Sequence, residues 1–271
     1  MNTQTKQGTA LITGASTGIG AIYADRLARR GYDLILVARD QARLDALATR
    51  LAAETGRKVT VLAADLTDKA DLRRVEERLR SDSSITTLVN NAGFGATKPL
   101  FETDIDRLET MIDLNVTALT RLTSAVVPGL IERGNGLIIN ISSIAALAPE
   151  ILNGTYAGSK AYVLTFTQSL HHELANKGIR VQAVLPGATS SEFWERAGVP
   201  IAYLPEQIVM STHDMVDAAL AGLDQNELVT IPSLPDAADF TAFDDARRAM
   251  GPNLSRSQAA DRYKTGASQK A

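Results

Sequence analysis

Thr9-Ala10-Leu11-Ile12-Thr13-Gly14-Ala15-Ser16-Thr17-Gly18-Ile19-Gly20 changes character twice. An apolar run stops at a cluster of glycine and small hydroxyl residues, after which Ile22, Leu27 and Ala28 resume at helical spacing. The stretch reads as a strand, a glycine turn and a helix. Such a junction aims unpaired backbone N–H groups and the positive end of a helix at one point, which suits a pyrophosphate. Glycine lets the backbone approach a ligand closely. The spacing is G-x-x-x-G-x-G instead of the G-x-G-x-x-G of many dinucleotide sites, and a glycine turn after a strand also occurs with no ligand at all.

Working outward, the same alternation repeats. Residues 32–38 form a near-continuous apolar run between Gly31 and Arg39, the pattern of a strand buried on both faces of a parallel sheet. Further strands are expected over 58–63, 85–89, 137–141, 179–185 and 228–231, with amphipathic helices over 41–54, from about 104 to 127, and from about 155 to Gly178. Strand and helix in alternation, joined by right-handed crossovers, give one doubly wound α/β domain: a parallel seven-stranded sheet with helices on both faces and ligand groups at the strands' C-terminal ends. Asp68 is expected to cap the helix that follows it. Residues 8–187 make the core of this single domain (1–271). A tail over 235–271 carries one more amphipathic helix with Phe240, Phe243 and Met250, stopped at Gly251-Pro252, and is expected to be disordered beyond Lys264.

Residues 188–215 break the pattern. Phe193, Trp194, Val199, Ile201, Tyr203 and Leu204 crowd a segment punctuated by Gly198, Pro200 and Pro205. Such a segment suits a lid over an apolar pocket, with an oligomer contact or a small packed subdomain as the alternatives.

Chemistry concentrates between Ser143 and Lys160. On a helix starting near Thr155, Tyr156 and Lys160 are i and i+4 and project from one face. The same face carries Val163, Leu164, Leu170 and Leu174, so Lys160 stands in an apolar stripe and needs a partner or a task. A neighbouring ammonium favours a phenolate, so Lys160 is expected to draw the Tyr156 pKa down from about 10 toward a value useful for proton transfer. Asn115 is an amide on an otherwise apolar helical stripe; it either ties its helix to the neighbouring strand or holds an ordered water. Arg39 at the second strand's end favours a ribose 2′-phosphate, and so NADP over NAD, unless it is simply solvated.

Composition narrows the field. A hydrophobic content of 45% in 271 residues is ample for a core, and a net charge of -3 gives no footprint for nucleic acid or an anionic membrane. There is no cysteine, hence no disulfide or thiolate chemistry, and the three histidines lack metal-ligand spacing, so no metal is expected. The polar start is unlike a signal peptide and no uncharged apolar stretch reaches about 18 residues, from which a soluble cytoplasmic protein is expected.

Together Thr13-Gly14-x-x-x-Gly18-Ile19-Gly20, Asp65, Asn90-Asn91-Ala92-Gly93, Asn115, Ser143, Tyr156-x-x-x-Lys160 and Pro186-Gly187 resemble the short-chain dehydrogenase/reductase family, in family order and over about residues 8–231. The resemblance implies a Rossmann-type fold and assigns roles. Tyr156 would protonate a carbonyl oxygen as nicotinamide delivers hydride, and act in reverse for alcohol oxidation. Ser143 would bond that oxygen. Lys160 would tune the phenol and bind the nicotinamide ribose, and Asn115 would hold a relay water. Nucleotide contacts would come from Gly14, Ser16, Gly18 and Ile19 at the phosphates, Arg39 at the 2′-phosphate, and Asp65 and Leu66 at adenine. Asn91, Ala92 and Gly93 would follow the ribose, and Pro186, Gly187 and Thr189 would flank the nicotinamide. The substrate pocket would be lined by Phe94, Ala145, Leu152, Asn153 and Trp194.

Many NADP-preferring members carry a base where this chain has Thr17, so NAD stays open beside NADP. The resemblance also implies a homo-dimer or homo-tetramer. The expected activity is reversible reduction of a ketone or aldehyde bearing an apolar substituent. The alternatives are a 3-oxoacyl carrier-protein reductase, which needs a basic landing patch, and a non-catalytic nucleotide sensor.

Overall fold

The computed structural model describes residues 7–264. The polar start and the polar end beyond Lys264 lie outside the described residues. The chain divides after Pro232 into two compact units.

In the first unit seven parallel strands, β1 (Thr9–Thr13), β2 (Asp33–Ala38), β3 (Val59–Ala63), β4 (Ile85–Asn90), β5 (Gly136–Ile141), β6 (Ile179–Val184) and β7 (Val229–Thr230), stand in the order β3-β2-β1-β4-β5-β6-β7. The direction of winding reverses between β1 and β4. Such a reversal, at the C-terminal ends of the strands, is the usual ligand position of an open parallel sheet.

The period of two along the strands sorts side chains onto two faces. Ala10, Ile12, Leu34 and Leu36 join one core with residues of α1 (Gly18–Arg29), α2 (Gln41–Thr55) and α8 (Thr212–Asp224). Leu11, Ile35, Val37 and Leu88 join the other with α3 (Lys69–Ser81), α5 (Leu119–Arg133) and α6 (Gly154–Leu174). Helices cover both faces, as the alternating pattern predicts. Asp68 caps α3 through the N–H groups of Ala70 and Asp71, as expected.

Three boundaries differ from expectation. The helix expected over 104–127 begins as α4 (Ile105–Ile112), widens into a π-helical turn at Asp113–Ala118 and continues as α5 through Pro128 to Arg133. Buried Val126 and Leu130 flank Pro128, so packing on the sheet outweighs the lost backbone bond. By length and composition Ile105–Arg133 could cross a membrane; its buried Leu122, Ala125, Val126 and Leu130 give it the pattern of a core helix. The last strand shrinks to two residues. The segment expected to form a lid ends at Met210, not 215: Ser211 caps α8, and Met215 and Val216 belong to the core.

Lid residues 188–210 are closed at their base by the Thr189–Met210 bridge and the bonds Ser190 N to Met210 O and Met210 N to Ala188 O, both 2.9 Å. Within them lies one short helix, α7 (Phe193–Ala197). The second unit holds α9 (Ala237–Ala249), capped by Asp236, whose carboxylate accepts from Ala238 N.

Candidate active site

The site's floor grows from the end of β5 and the start of α6. Ser142 and Ser143 follow the last strand residue directly, and the two divide the work. Ser142 Oγ donates to the Lys160 carbonyl at 2.7 Å and ties the loop to α6. Ser143 Oγ accepts from Ala145 N at 3.1 Å, and its hydroxyl lies near enough to the Tyr156 phenol to favour the phenolate. Asn153 caps α6, accepting from Thr155 N at 2.9 Å and Tyr156 N at 3.4 Å, which fixes the turn from which the phenol projects. Ser143, Tyr156 and Lys160 are all buried.

Electrostatics at the floor depart from the expected phenol–ammonium pairing. Lys160 Nζ donates to the Ile141 carbonyl at 2.9 Å and stands 5.8 Å from the Tyr156 ring centroid. Burial pushes the phenol up to about 12, with the Ser143 hydroxyl pulling it back. Burial likewise drives the Lys160 ammonium down to about 8. Desolvation outweighs attraction because both groups are enclosed and the ammonium's bond goes to a carbonyl. The expectation that Lys160 draws the phenol down is therefore corrected: Ser143 is the group that does so.

Asn115 lies in the π-helical turn, a distortion that often marks functional sites. Its carboxamide accepts from Phe94 N at 3.1 Å and donates to Phe94 O at 3.0 Å and Ser159 Oγ at 3.1 Å. These bonds join its helix to the segment after β4 and to α6.

The glycine turn sits at the C-terminal end of β1 with α1 behind it. Thr13 Oγ1 accepts from Asn91 N and Ala92 N, both at 3.0 Å, and Asn91 Nδ2 donates to the carbonyls of Thr13 and Gly14 at 2.9 and 3.2 Å. The turn and Asn91-Ala92-Gly93 are thereby joined. Gly14 has φ +65°, and a Cβ there would come within 2.8 Å of Asn91 Nδ2. Thr17 makes no side-chain cap to α1, which leaves the helix's leading N–H groups available. An uncapped helix start behind a side-chain-free turn fits a pyrophosphate. Ser16, Gly18 and Ile19 belong to this turn, partly buried.

At the ends of β2 and β3, exposed Arg39 reaches Asp65 with Nη1 to Oδ2 at 3.8 Å. Asp65 Oδ1 is taken by Thr67 N and Oγ1, bonds that hold its carboxyl below the usual range against the cost of burial. Leu66 is buried in the core. Pro186 accepts from Ile144 N at 3.1 Å, which places it beside the Ser143 loop, and Gly187 accepts from Thr189 Oγ1 at 3.1 Å within its own turn.

The residues expected to line the pocket separate. Phe94, Ala145 and Leu152 gather in one apolar cluster with Tyr156, Met111 and Phe193. Ala145 is fully buried and backs this wall without facing into open space. Asn153 is spent on its cap and on Lys98 O, to which Nδ2 donates at 2.7 Å. It is corrected from pocket wall to scaffold. Trp194 turns its indole N–H to Thr189 O at 3.0 Å.

Residues 8–199 match the family described as short chain dehydrogenase. The chain belongs to that family. It is 52% identical, with a TM-score of 0.92, to a solved short-chain dehydrogenase from Sphingobium yanoikuyae in complex with NADPH, covering 95% of this chain and 100% of that one. A bulky-bulky ketone specific alcohol dehydrogenase from Comamonas testosteroni is 46% identical with a TM-score of 0.88, over 96% of this chain and all of that one. Among curated relatives, a very-long-chain 3-oxoacyl-CoA reductase from Anas platyrhynchos is 37% identical over 184 residues, or 65% of this chain. The chain spans 58% of the length of that relative.

Three further residues of this dehydrogenase matter that sequence reasoning left out of the site. Thr13 staples the turn to Asn91. Ser159 holds Asn115 while donating to the Tyr156 carbonyl at 2.7 Å. Phe193 packs its ring 5.7 Å from that of Tyr156. A serine three residues after the tyrosine, on the same helical face, was a readable signal for Ser159. Phe193 was read only as one of the apolar residues of the expected lid, and nothing in so irregular a segment marked its contact with Tyr156.

Proposed function

We propose that this chain reduces a ketone carrying bulky apolar groups to the alcohol, reversibly, with NADP(H) as hydride partner and Tyr156 as general acid and base. The observation that carries the reading is the buried Ser143–Tyr156 pair set against an apolar wall of Phe94, Leu152 and Phe193. The uncapped start of α1 and the Gly14 turn fit a pyrophosphate, and Arg39 stands where a 2′-phosphate would lie. When bound, the dinucleotide supplies hydride to the carbonyl carbon or accepts it from the alcohol.

The chain's own residues manage the oxygen and its proton. Tyr156 gives its phenolic proton to the carbonyl oxygen as negative charge develops there, and takes it back in oxidation. A phenol held high by burial is the protonated acid this step needs. Ser143 donates to the same oxygen and then to the phenolate left behind, a preorganised donor in a site from which water is largely excluded. Lys160, beneath them, holds the end of β5 and the start of the Ser143 loop through the Ile141 carbonyl. Asn115 holds Phe94 and Ser159 in place around the tyrosine. Dimeric or tetrameric assembly and a cytoplasmic location complete the proposal, from the family resemblance and the absence of cysteine.

The likeness to the solved bulky-ketone alcohol dehydrogenase supports the substrate class. A second reading, reduction of a 3-oxoacyl thioester, is favoured by the 37% identity to an enzyme of that name. The test is absorbance loss of NADPH and, separately, NADH with a panel of diaryl and alkyl aryl ketones and a 3-oxoacyl thioester. Ketone turnover with NADPH well above NADH is expected. Arg39→Ala should then raise the Michaelis constant for NADPH about tenfold, as loss of a charge-assisted bond implies, and leave NADH unchanged. Thioester turnover far above every ketone would transfer the assignment to the second reading; no oxidation of either cofactor would remove both.

A further inference from the structure

The glycine turn and the lid are far apart in the chain, yet they meet. A Cβ placed on Gly18 would lie 3.3 Å from the Cβ of Ser191. The segment leading into α7 therefore passes across the mouth of the turn that fits a pyrophosphate. One residue on, Glu192 Oε1 accepts from Arg43 Nη1 at 2.7 Å, the only charged contact that joins α7 to α2 among the described residues. Arg43 is itself placed by its own helix start: its backbone N donates to Asp40 Oδ1 at 3.0 Å, and its Nε lies 3.4 Å from Asp40 Oδ2.

The other end of α7 is held differently. Arg107 Nη2 donates to the Arg196 carbonyl at 2.5 Å, and Thr97 gives both its hydroxyl and its N–H to the Ala197 carbonyl, at 2.8 and 3.3 Å. These donors satisfy carbonyls that so short a helix leaves without partners. The lid helix is thus a strap. Its trailing end is held by side chains that donate to its backbone carbonyls, its leading end follows the Ser190–Met210 backbone bond and reaches α2 through one pair of half-exposed side chains, and between them Phe193 lies against Tyr156.

We infer that Arg43 is a positioning residue for the lid: through Glu192 it keeps the leading end of α7 closed over the glycine turn and Phe193 against Tyr156. Its bearing on turnover rests on the function proposed above; the strap itself does not. A half-exposed ion pair is weak and screened by salt, which suits a contact that must release for a ligand to pass beneath it. Arg43, first, and Arg196 hold the Glu192 carboxyl below its usual range, so it stays ionised at neutral pH. Arg196 Nη2 also bonds Glu192, at 2.6 Å, but from within α7, so that bond travels with the strap and anchors it to nothing outside.

The chain carries one tryptophan, Trp194, next to Phe193 on the strap, with ring centroids 5.4 Å apart. Acrylamide quenching of its fluorescence reads the strap in the full-length protein without cofactor or substrate. Quenching of the wild type should increase between low salt and 1 M NaCl. Glu192→Gln and Arg43→Gln should quench strongly already at low salt and lose most of the salt response. The charge-swapped pair Arg43→Glu with Glu192→Arg should return toward wild type. Arg196→Gln, which removes only the internal bond, should resemble wild type.

In stopped flow, NADPH release from Glu192→Gln should be about two- to fivefold faster than from wild type, the factor an exposed ion pair can supply. Unchanged quenching and release in both Gln variants would overturn the inference. So would an Arg196→Gln variant that matches Glu192→Gln, because helix stability and not the tether would then be at work. If quenching and release respond as expected but no ketone is reduced, the strap stands and only the proposed reaction falls.

Discussion

The floor and the lid of the site are built on opposite principles. Ser143, Tyr156 and Lys160 are at most 8% exposed, and each is held from the end of β5, the loop after it or the start of α6. The lid helix crosses the same site on half-exposed side chains, tied to three distant segments through Arg43, Thr97 and Arg107. Buried, locally determined groups keep one geometry and suit a proton transfer that tolerates little displacement. A surface strap on a few polar contacts opens at low cost and suits the choice and passage of ligands. On the proposed reading, the reaction belongs to one part of the molecule and the choice of substrate to another.

The largest expected effect would come from breaking the floor. Tyr156→Phe keeps the ring that packs against Phe193 and Ala145 and removes only the proton donor. Turnover should fall by about 10²- to 10⁴-fold, the usual contribution of a positioned acid or base. NADPH binding, followed by fluorescence titration, should stay within about twofold of wild type, since the same fold presents the same turn. A Tyr156→Phe enzyme with near-normal turnover would remove the phenol from the mechanism and leave the division between floor and lid without its chemical half.

The same division explains what could be read from the sequence. The sheet was legible because β1, β2 and β4 are apolar on both faces and end in glycine, arginine or asparagine, a local pattern that needs no knowledge of contacts. Tyr156 and Lys160 were legible from helical spacing, as was the buried stripe with Val163, Leu164, Leu170 and Leu174. What failed depended on the surroundings. Pro128 looked like a helix end because its continuation is stabilised by packing on the sheet, and the π-helical turn around Asn115 has no periodicity of its own. Asn153 was assigned to the pocket because its cap on α6 is visible only once Lys98 and Tyr156 are seen beside it. The pull of Lys160 on the phenol was argued from spacing alone, which says nothing of the Ile141 carbonyl or of burial. Arg43, tied to Glu192 across 149 positions, had no local signal whatever.

A smaller effect sharpens the description of the floor. Burial sets the Lys160 ammonium at about 8 in the folded chain, against roughly 10.4 in an unfolded one. Between those values the unfolded chain holds a proton that the folded chain has released, so this group makes stability rise with pH across that window. Below about 8 both states are protonated and the folded state carries the full penalty of a buried charge. Tyr156 acts in the opposite sense and later: its phenol, pushed up to about 12, keeps a proton that the unfolded chain loses above about 10, so stability falls from there upward. Lys160→Met removes the first of these. Urea unfolding of both proteins between pH 7 and 10 should show wild type gaining on the variant by on the order of 3 kcal/mol. Parallel curves would mean that Lys160 is solvated in both states and the floor less closed than its burial indicates.

The smallest expected effect tests the lid from beneath. A Cβ on Gly95 would fall 2.6 Å from Phe193 Cζ and 3.3 Å from Tyr156 Cδ2, so the two sides of the site compete for the same space. They do not yield equally. Tyr156 is anchored by the Asn153 cap, whereas Phe193 rides on a strap whose leading end reaches α2 through one half-exposed ion pair. In Gly95→Ala the lid should move and the floor should stay. Overpacking of this kind costs about 1 kcal/mol or more, here relieved by displacing the ring at the far end of a side chain. The Michaelis constant for a bulky ketone should therefore rise by about fivefold, the turnover number should change by less than about twofold, and Trp194 should become easier to quench. A fall in turnover number with unchanged quenching would mean that Tyr156 had moved instead, and that the floor is the softer of the two.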